Sequence, residues 1–481
     1  MIATLLVMLS SQPEPAKQPE VASSAIRVLW QAPTKAPCFG GGAAADVDGD
    51  GILDIAFATY FGDSKVRVLR GKDGREIWSY EAGSGGGKGD ACLDASCRFF
   101  DVDGDGTLEL IVPVSNTSQV IAFDAATGAK KWTYEAGFGE CIDTPPWIGE
   151  IDGTLAIVVG TFKSRFHVLC AVEGSLIRHV PIAPKGAVQS CPQVLDLNGD
   201  GVMDYIGATF NGDNRVVAID GAAEPTAFDT NKKPISVHPL WHIQTGSHIY
   251  HGPATGDLDG DGKPDFTIGS YDGKVYAFRA DGTALWTAVP GERYIMGPTT
   301  ITDLDGDGKP EVIAAGDKVT VFNVDGSIRW STRFDKPGNH WSVSRGASVA
   351  DLSGDGKPDL ALLNGRGLFK VLSGADGATV FEFDASTVFK GPLQSTSNAP
   401  IIADFDGDGQ LDVFIVVGRG SSQDPQNNAG LALCLTGFPG RATKPDGSPV
   451  GWFSHRHDAQ NTGNTATRVD PSTLGLRVAP R

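Results

Sequence analysis

The chain has 481 residues, enough for two or three ordinary domains or one large all-β assembly. Its 58 Asp and Glu against 40 Lys and Arg give a formal net charge of −18, which argues against nucleic-acid binding because phosphate would be repelled. Gly at 62 residues and Pro at 29 suit many short strands joined by tight turns.

Residues 1–24 read as a leader and spacer. The apolar run Ile2–Leu9 precedes "QPEPAKQPEVASS", a pattern like a secretory h-region, although a positive n-region and a small-x-small cleavage site are missing. Export to the periplasm, the cell surface or the medium is one expectation, and a plain disordered leader is the alternative. No later apolar run approaches the ~20 residues that cross a bilayer. Next comes "AIRVLWQA", which reads like the last strand of a repeat unit without a unit of its own. It is expected to close the structure together with the C-terminal "GWFSHRHDAQNTG", with the strand each terminus supplies left open.

From Asp46 onward an acidic string returns eight times, at starts 46 to 61 residues apart, a period typical of propellers or arrays. The intact copies are "DVDGDGILD" from Asp46, "DVDGDGTLE" from Asp101, "DLNGDGVMD" from Asp196, "DLDGDGKPD" from Asp257, "DLDGDGKPE" from Asp303, "DLSGDGKPD" from Asp351 and "DFDGDGQLD" from Asp404. The third unit has only "EIDGTLA" from Glu150. Small residues such as "GGGAAAD" precede the strings and suit an inner strand crowded at an axis. Short β-branched runs such as "FTIGSYDG" follow, then a hairpin such as "KVYAFRADGTALWTAVPG". Four strands in ~50 residues make a propeller blade. The expected fold is therefore all-β: one eight-bladed β-propeller of four-stranded antiparallel blades over residues 25–466, with a tail at 467–481. The recurring last-strand aromatics Trp78, Trp132, Trp241, Trp286 and Trp330 are replaced by Arg178 in the third unit and Phe381 in the seventh, and read as packing between blades. Insertions at 221–239 and 438–450 are expected to decorate one rim.

Each string alternates acidic or polar side chains on a glycine-bent turn. A hard divalent cation takes six or seven oxygens at ~2.3 to 2.6 Å, and positions 1, 3, 5 and 9 with the carbonyl of position 7 supply them. The candidate ligands are Asp46, Asp48, Asp50, Ile52 and Asp54; Asp101, Asp103, Asp105, Thr107 and Glu109; Asp196, Asn198, Asp200, Val202 and Asp204; Asp257, Asp259, Asp261, Lys263 and Asp265; Asp303, Asp305, Asp307, Lys309 and Glu311; Asp351, Ser353, Asp355, Lys357 and Asp359; Asp404, Asp406, Asp408, Gln410 and Asp412. Calcium fits this donor set, whereas zinc prefers His or Cys and magnesium a tighter octahedron. An EF-hand would need flanking helices and a Glu at position 12; that position is Ile268 or Ala314, inside apolar strands. About seven structural Ca²⁺ are expected, which would move the formal charge from −18 to −4. The shortened third unit is expected to hold none, and Asn198 and Ser353 to weaken their sites.

The seven cysteines (Cys38, Cys92, Cys97, Cys141, Cys170, Cys191 and Cys434) are scattered and odd in number. Cys92 and Cys97 are candidates for a short disulfide loop in an oxidising compartment, while Cys170 and Cys434 read as buried packing.

The segments "GDLDGDGKPDFTIGS" and "LDLNGDGVMDYIGATFNGD" resemble the FG-GAP or VCBS-type repeats of integrin α-subunit propellers and of many secreted bacterial proteins. "VIAFDAATGAKKWTYEAG" and "VRVLRGKDGREIWSYEAG" look like outer strands of quinoprotein dehydrogenase propellers. The first resemblance implies structural calcium in the intact loops and, by analogy only, an adhesive role; integrin propellers have seven blades, whereas eight units are present here. Three functions follow. The leading one is a binding or adhesion module for an extracellular protein or glycan, probed most directly at the channel mouth and monomeric, with no chemistry of its own. A polysaccharide lyase or hydrolase is the alternative, because some eight-bladed rhamnogalacturonan lyases carry calcium loops of this kind. A quinone-dependent dehydrogenase is disfavoured by the lack of an adjacent Cys pair. Candidate ligand contacts are His248, Tyr250, His251, Arg293, Tyr294, His340, Trp341 and Arg345, which periodicity places near one end of the central channel. "HRHD" at 455–458 reads as structural hydrogen bonding at the closure.

Overall fold

The computed structural model describes residues 26–83, 91–223, 239–335, 342–394, 398–467, 469 and 471–476. Two candidate contacts, His340 and Trp341, lie outside these residues, as do the leader and most of the 221–239 insertion. Among the described residues each acidic string separates a short inner strand from a buried β-branched strand, because the glycine-rich turn cannot continue either. In blade 1 the strands are Ala43–Ala45, Asp54–Ala58, Lys65–Leu69 and Glu76–Glu81, hydrogen-bonded in that order and antiparallel. The pattern recurs in eight four-stranded sheets whose inner strands begin at Ala43, Arg98, Trp147, Gln193, Ala254, Thr300, Ser348 and Ile401. The acidic loops and the turns between third and fourth strands share one rim. The turns between second and third strands and the connections between blades form the other.

The N-terminus closes the ring. Arg27–Thr34 pairs antiparallel with Ala429–Thr436 as the fourth strand of blade 8, so the last blade is completed by the first strand among the described residues. Its Trp30 then does what the last-strand tryptophans do elsewhere. Trp30, Trp78, Trp132, Trp241, Trp286 and Trp330 each donate Nε1–H to a carbonyl of the next blade, for Trp78 to Ala125 at 2.7 Å. The ring lies flat on a glycine of that blade's outer turn: Gly128 has φ +71°, and a Cβ there would stand 2.6 Å from Trp78. Arg178 makes the same crossing in blade 3, donating to Gly221 O at 2.8 Å and lying 4.9 Å over the Tyr205 ring, and Phe381 packs edge-on against Phe438. Trp78→Ala should therefore cost ~3–5 kcal/mol by leaving a cavity between blades; a urea melt with an unchanged midpoint would contradict this.

Among the described residues the C-terminal segment adds no strand to the sheets, which settles the question the sequence left open. Instead residues 452–464 cross the axis and hydrogen-bond to the inner strands of seven blades. Ile402 exchanges bonds with Trp452, Ala44 N–H donates to Phe453 O at 2.8 Å, Ile148 to Ala459 O at 2.9 Å, Thr255 to Thr462 O at 2.9 Å and Ile301 to Gly463 O at 2.8 Å. Arg98 from blade 2 donates to His455 O and to Asn461 Oδ1, and Gln193 from blade 4 to Asn461 O at 3.0 Å. Trp452, His455, Arg456 and Asn461 are at most 2 % exposed. A short inner strand leaves polar backbone facing the axis, and this segment satisfies it. Asp458 accepts from Thr462 N–H at 2.9 Å, in line with a hydrogen-bonding role for "HRHD".

All seven cysteines are free. Cys92 and Cys97 do not pair, which corrects the disulfide expectation: Cys97 Sγ instead points at Ala56 O of blade 1, 3.6 Å away. Cys434 is fully buried, whereas Cys170 is only partly so.

Candidate metal loops and axial mouth

Six of the seven intact loops share one hydrogen-bond scheme. The position-1 carboxylate accepts from the amides of positions 4 and 6, as Asp46 does from Gly49 at 2.8 Å and Gly51 at 2.9 Å. Position 3 accepts from position 5 and position 5 from position 7. Both glycines sit at positive φ, +77° and +85° in blade 1, with open space where a Cβ would go. The backbone conformation alone requires glycine there. Position 9 begins the second strand, fully buried, and its carboxylate accepts the amide of position 2, closing the loop (Asp54 from Val47, 3.2 Å).

This turn aims carboxylates at one point. Oxygens of Asp46, Asp48 and Asp50; Asp101, Asp103 and Glu109; Asp257, Asp259 and Asp265; Asp303, Asp305 and Glu311; and Asp404, Asp406 and Asp412 lie within 4.8 Å of one another in each set. The loops with Asn198 and Ser353 lack a third-position carboxylate. The Ser353 loop also departs from the scheme: Asp351 Oδ1 accepts from Asp355 rather than Gly354, and Asp359 from Ser353 rather than Leu352. In blade 3 the loop is replaced by a two-residue turn, Asp152 and Gly153 at φ +51° and +77°, between the paired Ile151 and Thr154. That is the geometry a tight antiparallel hairpin prefers.

Burial pushes the position-9 acids up: Asp54 and Asp412 to about 7, Asp359 to about 6, with the neighbouring loop carboxylates adding to the rise. Glu109, Asp204, Asp265 and Glu311 move the same way for the same first reason. Asp412 Oδ1 is buried, and the Thr436 side chain only partly offsets the rise there. Convergent carboxylate oxygens on a turn with a buried anchor at position 9 fit a hard cation.

Basic side chains reach the same carboxylates, a feature the repeat pattern did not reveal. Lys131 Nζ bridges Asp103 at 2.7 Å and Glu109 at 2.6 Å; Arg329 bridges Asp305 and Glu311; Arg70 and Arg279 meet Asp48 and Asp259 at 3.2 and 2.8 Å. The signal lay one residue before the last-strand tryptophan, at Lys131 and Arg329. A cation entering blade 2 must displace or share with Lys131. Lys131→Gln should tighten calcium binding there several-fold in a chelator competition, and an unchanged affinity would show that Lys131 does not compete.

At the other rim the expected contacts divide. His251 is 5 % exposed and its Nε2 meets Arg345 Nη1 at 2.9 Å; Arg345, 8 % exposed, lies over the Tyr250 ring at 5.7 Å and donates to Phe39 O at 2.5 Å. These three gather at the axis. His248 and Tyr294 stand further out in an aromatic group: Phe210 packs on His248, Tyr250 and Tyr271, and Tyr271 stacks on Tyr294 at 5.4 Å. Arg293 is exposed. Gly41 beneath them packs directly on His455, so the crossing segment forms the floor of a mouth rather than leaving an open channel.

The fold and loops define an eight-bladed β-propeller with an acidic turn at the same place in seven blades. The chain belongs to the FG-GAP-like repeat family, whose model matches residues 46–112, 196–268, 257–314, 303–362 and 351–415, more than half of the chain. No curated protein sequence matches it. Among solved structures it is similar in fold to the V. cholerae biofilm matrix protein Bap1 (TM-score 0.59, 14 % identity, 94 % of this chain and 97 % of that one). BamB from Moraxella catarrhalis is similar at TM-score 0.51 and 15 % identity, over 85 % and 97 %. The quinohemoprotein alcohol dehydrogenase ADHIIG from Pseudomonas putida HK5 is similar at 0.54 and 13 %, over 91 % and 80 %. No helix among the described residues is long and apolar enough to cross a membrane.

Proposed function

We propose that the protein is a calcium-stabilised binding module, secreted, periplasmic or at the cell surface, that presents its axial mouth to an extracellular protein or glycan and catalyses nothing itself. The observation that carries this reading is the convergence of three carboxylates in five equivalent loops: the strongest chemistry of the chain is repeated evenly around the ring, as structural ions require, rather than gathered at one catalytic centre. The biofilm-matrix setting named for Bap1 supports an extracellular role. Glycan and extracellular-protein arrays probed with calcium-loaded protein test it. Binding should be lost in excess EGTA and weakened about tenfold by Tyr294→Ala, which removes the ring stacked on Tyr271. Binding indifferent to both changes, or none at all, would sink the reading.

A further inference from the structure

The connections between blades place one residue at the same station, four before the inner strand. In blades 1 to 5 these are Phe39, Asp94, Asp143, Gln189 and Tyr250. Quasi-symmetry puts them on one ring about the axis, above the floor made by His455. The ring is chemically lopsided. Two adjacent blades contribute carboxylates, the next an amide that donates to Asp143 Oδ2 at 3.2 Å, and the flanking blades contribute aromatic rings. From the far side comes Arg345, buried and held by Phe39 O and His251.

Asp94 Oδ1 and Asp143 Oδ1 are both buried without a well-formed hydrogen bond among the described residues, the Cys92 thiol and the Ser115 hydroxyl only partly stabilising the two carboxylates. Such acceptors are costly unless something donates to them. Burial, then the charge of Asp143, pushes Asp94 up to about 7, while Arg345 opposes both. An anion entering the mouth would meet two carboxylates, and a cation would meet a fixed guanidinium. A neutral molecule with adjacent hydroxyls meets neither penalty: its O–H groups donate to these carboxylate oxygens, its oxygens accept from Gln189 or Arg345, and its C–H faces lie on Phe39 or Tyr250. We propose that this ring is a binding site for a neutral sugar residue, with Asp94 and Asp143 accepting its hydroxyls. The inference rests on the binding-module reading and names its ligand class.

The test is calcium-loaded full chain titrated with neutral polysaccharides (glucan, galactan and mannan) and with a lysine-rich peptide. At least one neutral glycan should bind, and Asp94→Asn and Asp143→Asn should each weaken it tenfold or more with Tm and calcium content unchanged. Glycan binding that stays within twofold in both variants overturns the sugar site while leaving the module reading intact. Capture of the peptide alone, released by Asp143→Asn, overturns it in favour of a cation site. Absence of any partner for the wild-type protein overturns both.

Discussion

Chelation with excess EGTA should lower Tm by on the order of 10 °C or more, and elemental analysis beforehand should return about seven Ca²⁺ per chain. An ion that binds only the folded form adds ~2.7 kcal/mol per site at a hundredfold excess over its Kd. The folded loops are the binding form: the turn orients the oxygens of positions 1 and 3 with position 9, or position 5 in blade 1, and position 9 begins a buried strand. Unfolding scatters all of them. Each kcal/mol is worth ~2–4 °C even in domains of 150–250 residues and less in longer ones, so several occupied sites are needed for the full shift. The sites should empty in order, the Ser353 loop among the first, because its turn is already rearranged and it lacks a third-position acid. A metal-free preparation with the same Tm, or one containing zinc, would defeat the calcium assignment.

The blades and loops were legible in the sequence because both are local and repeated. A nine-residue string with glycine at positions 4 and 6 fixes its own turn, and its apolar flanks can only be strands, so eight copies count eight blades. The degenerate third copy was legible for the same reason, since Asp152–Gly153 is itself a hairpin signal. Other features depend on partners far along the chain. Nothing in "GWFSHRHDAQNTG" has a period, and its bonds to Ala44, Ile148, Thr255 and Ile301 are mostly to backbone, which any side chain would permit. Asp94 and Asp143 escaped notice because each stands singly in a loop, and only the ring brings them to one station. Cys92 and Cys97 misled through proximity in sequence; the strand that begins at Arg98 turns Cys97 toward blade 1.

The segment across the axis is the second place where a small change should have a large effect. Truncation after Val450 should leave a ring whose inner strands have lost their donors and acceptors, and should lower Tm by about as much as chelation. Because truncation confounds loss of the segment with loss of folding, Arg456→Ala is the sharper experiment. The Arg456 guanidinium is buried and donates to Pro253 O, Thr299 O and Asn461 O, joining blades 5 and 6 to the segment. Its loss strands three carbonyls and opens a cavity, at a cost of ~3–5 kcal/mol. Acid should act at the same place. His455, bonded to Ser96 Oγ at 2.9 Å, is held well below the usual imidazole value first by burial and then by His251, Arg345, Arg98 and Arg456, and His251 is held well below it by burial and then by Arg345 and Arg456. A histidine depressed in the folded state contributes stability above its unfolded pKa of ~6.5, and that contribution is lost as pH falls through and below this value. Tm should therefore drop between pH 7.5 and 5 in constant calcium, and His455→Gln should flatten the drop. An Arg456→Ala protein that melts with the wild type would mean that the ring holds itself together without its axle.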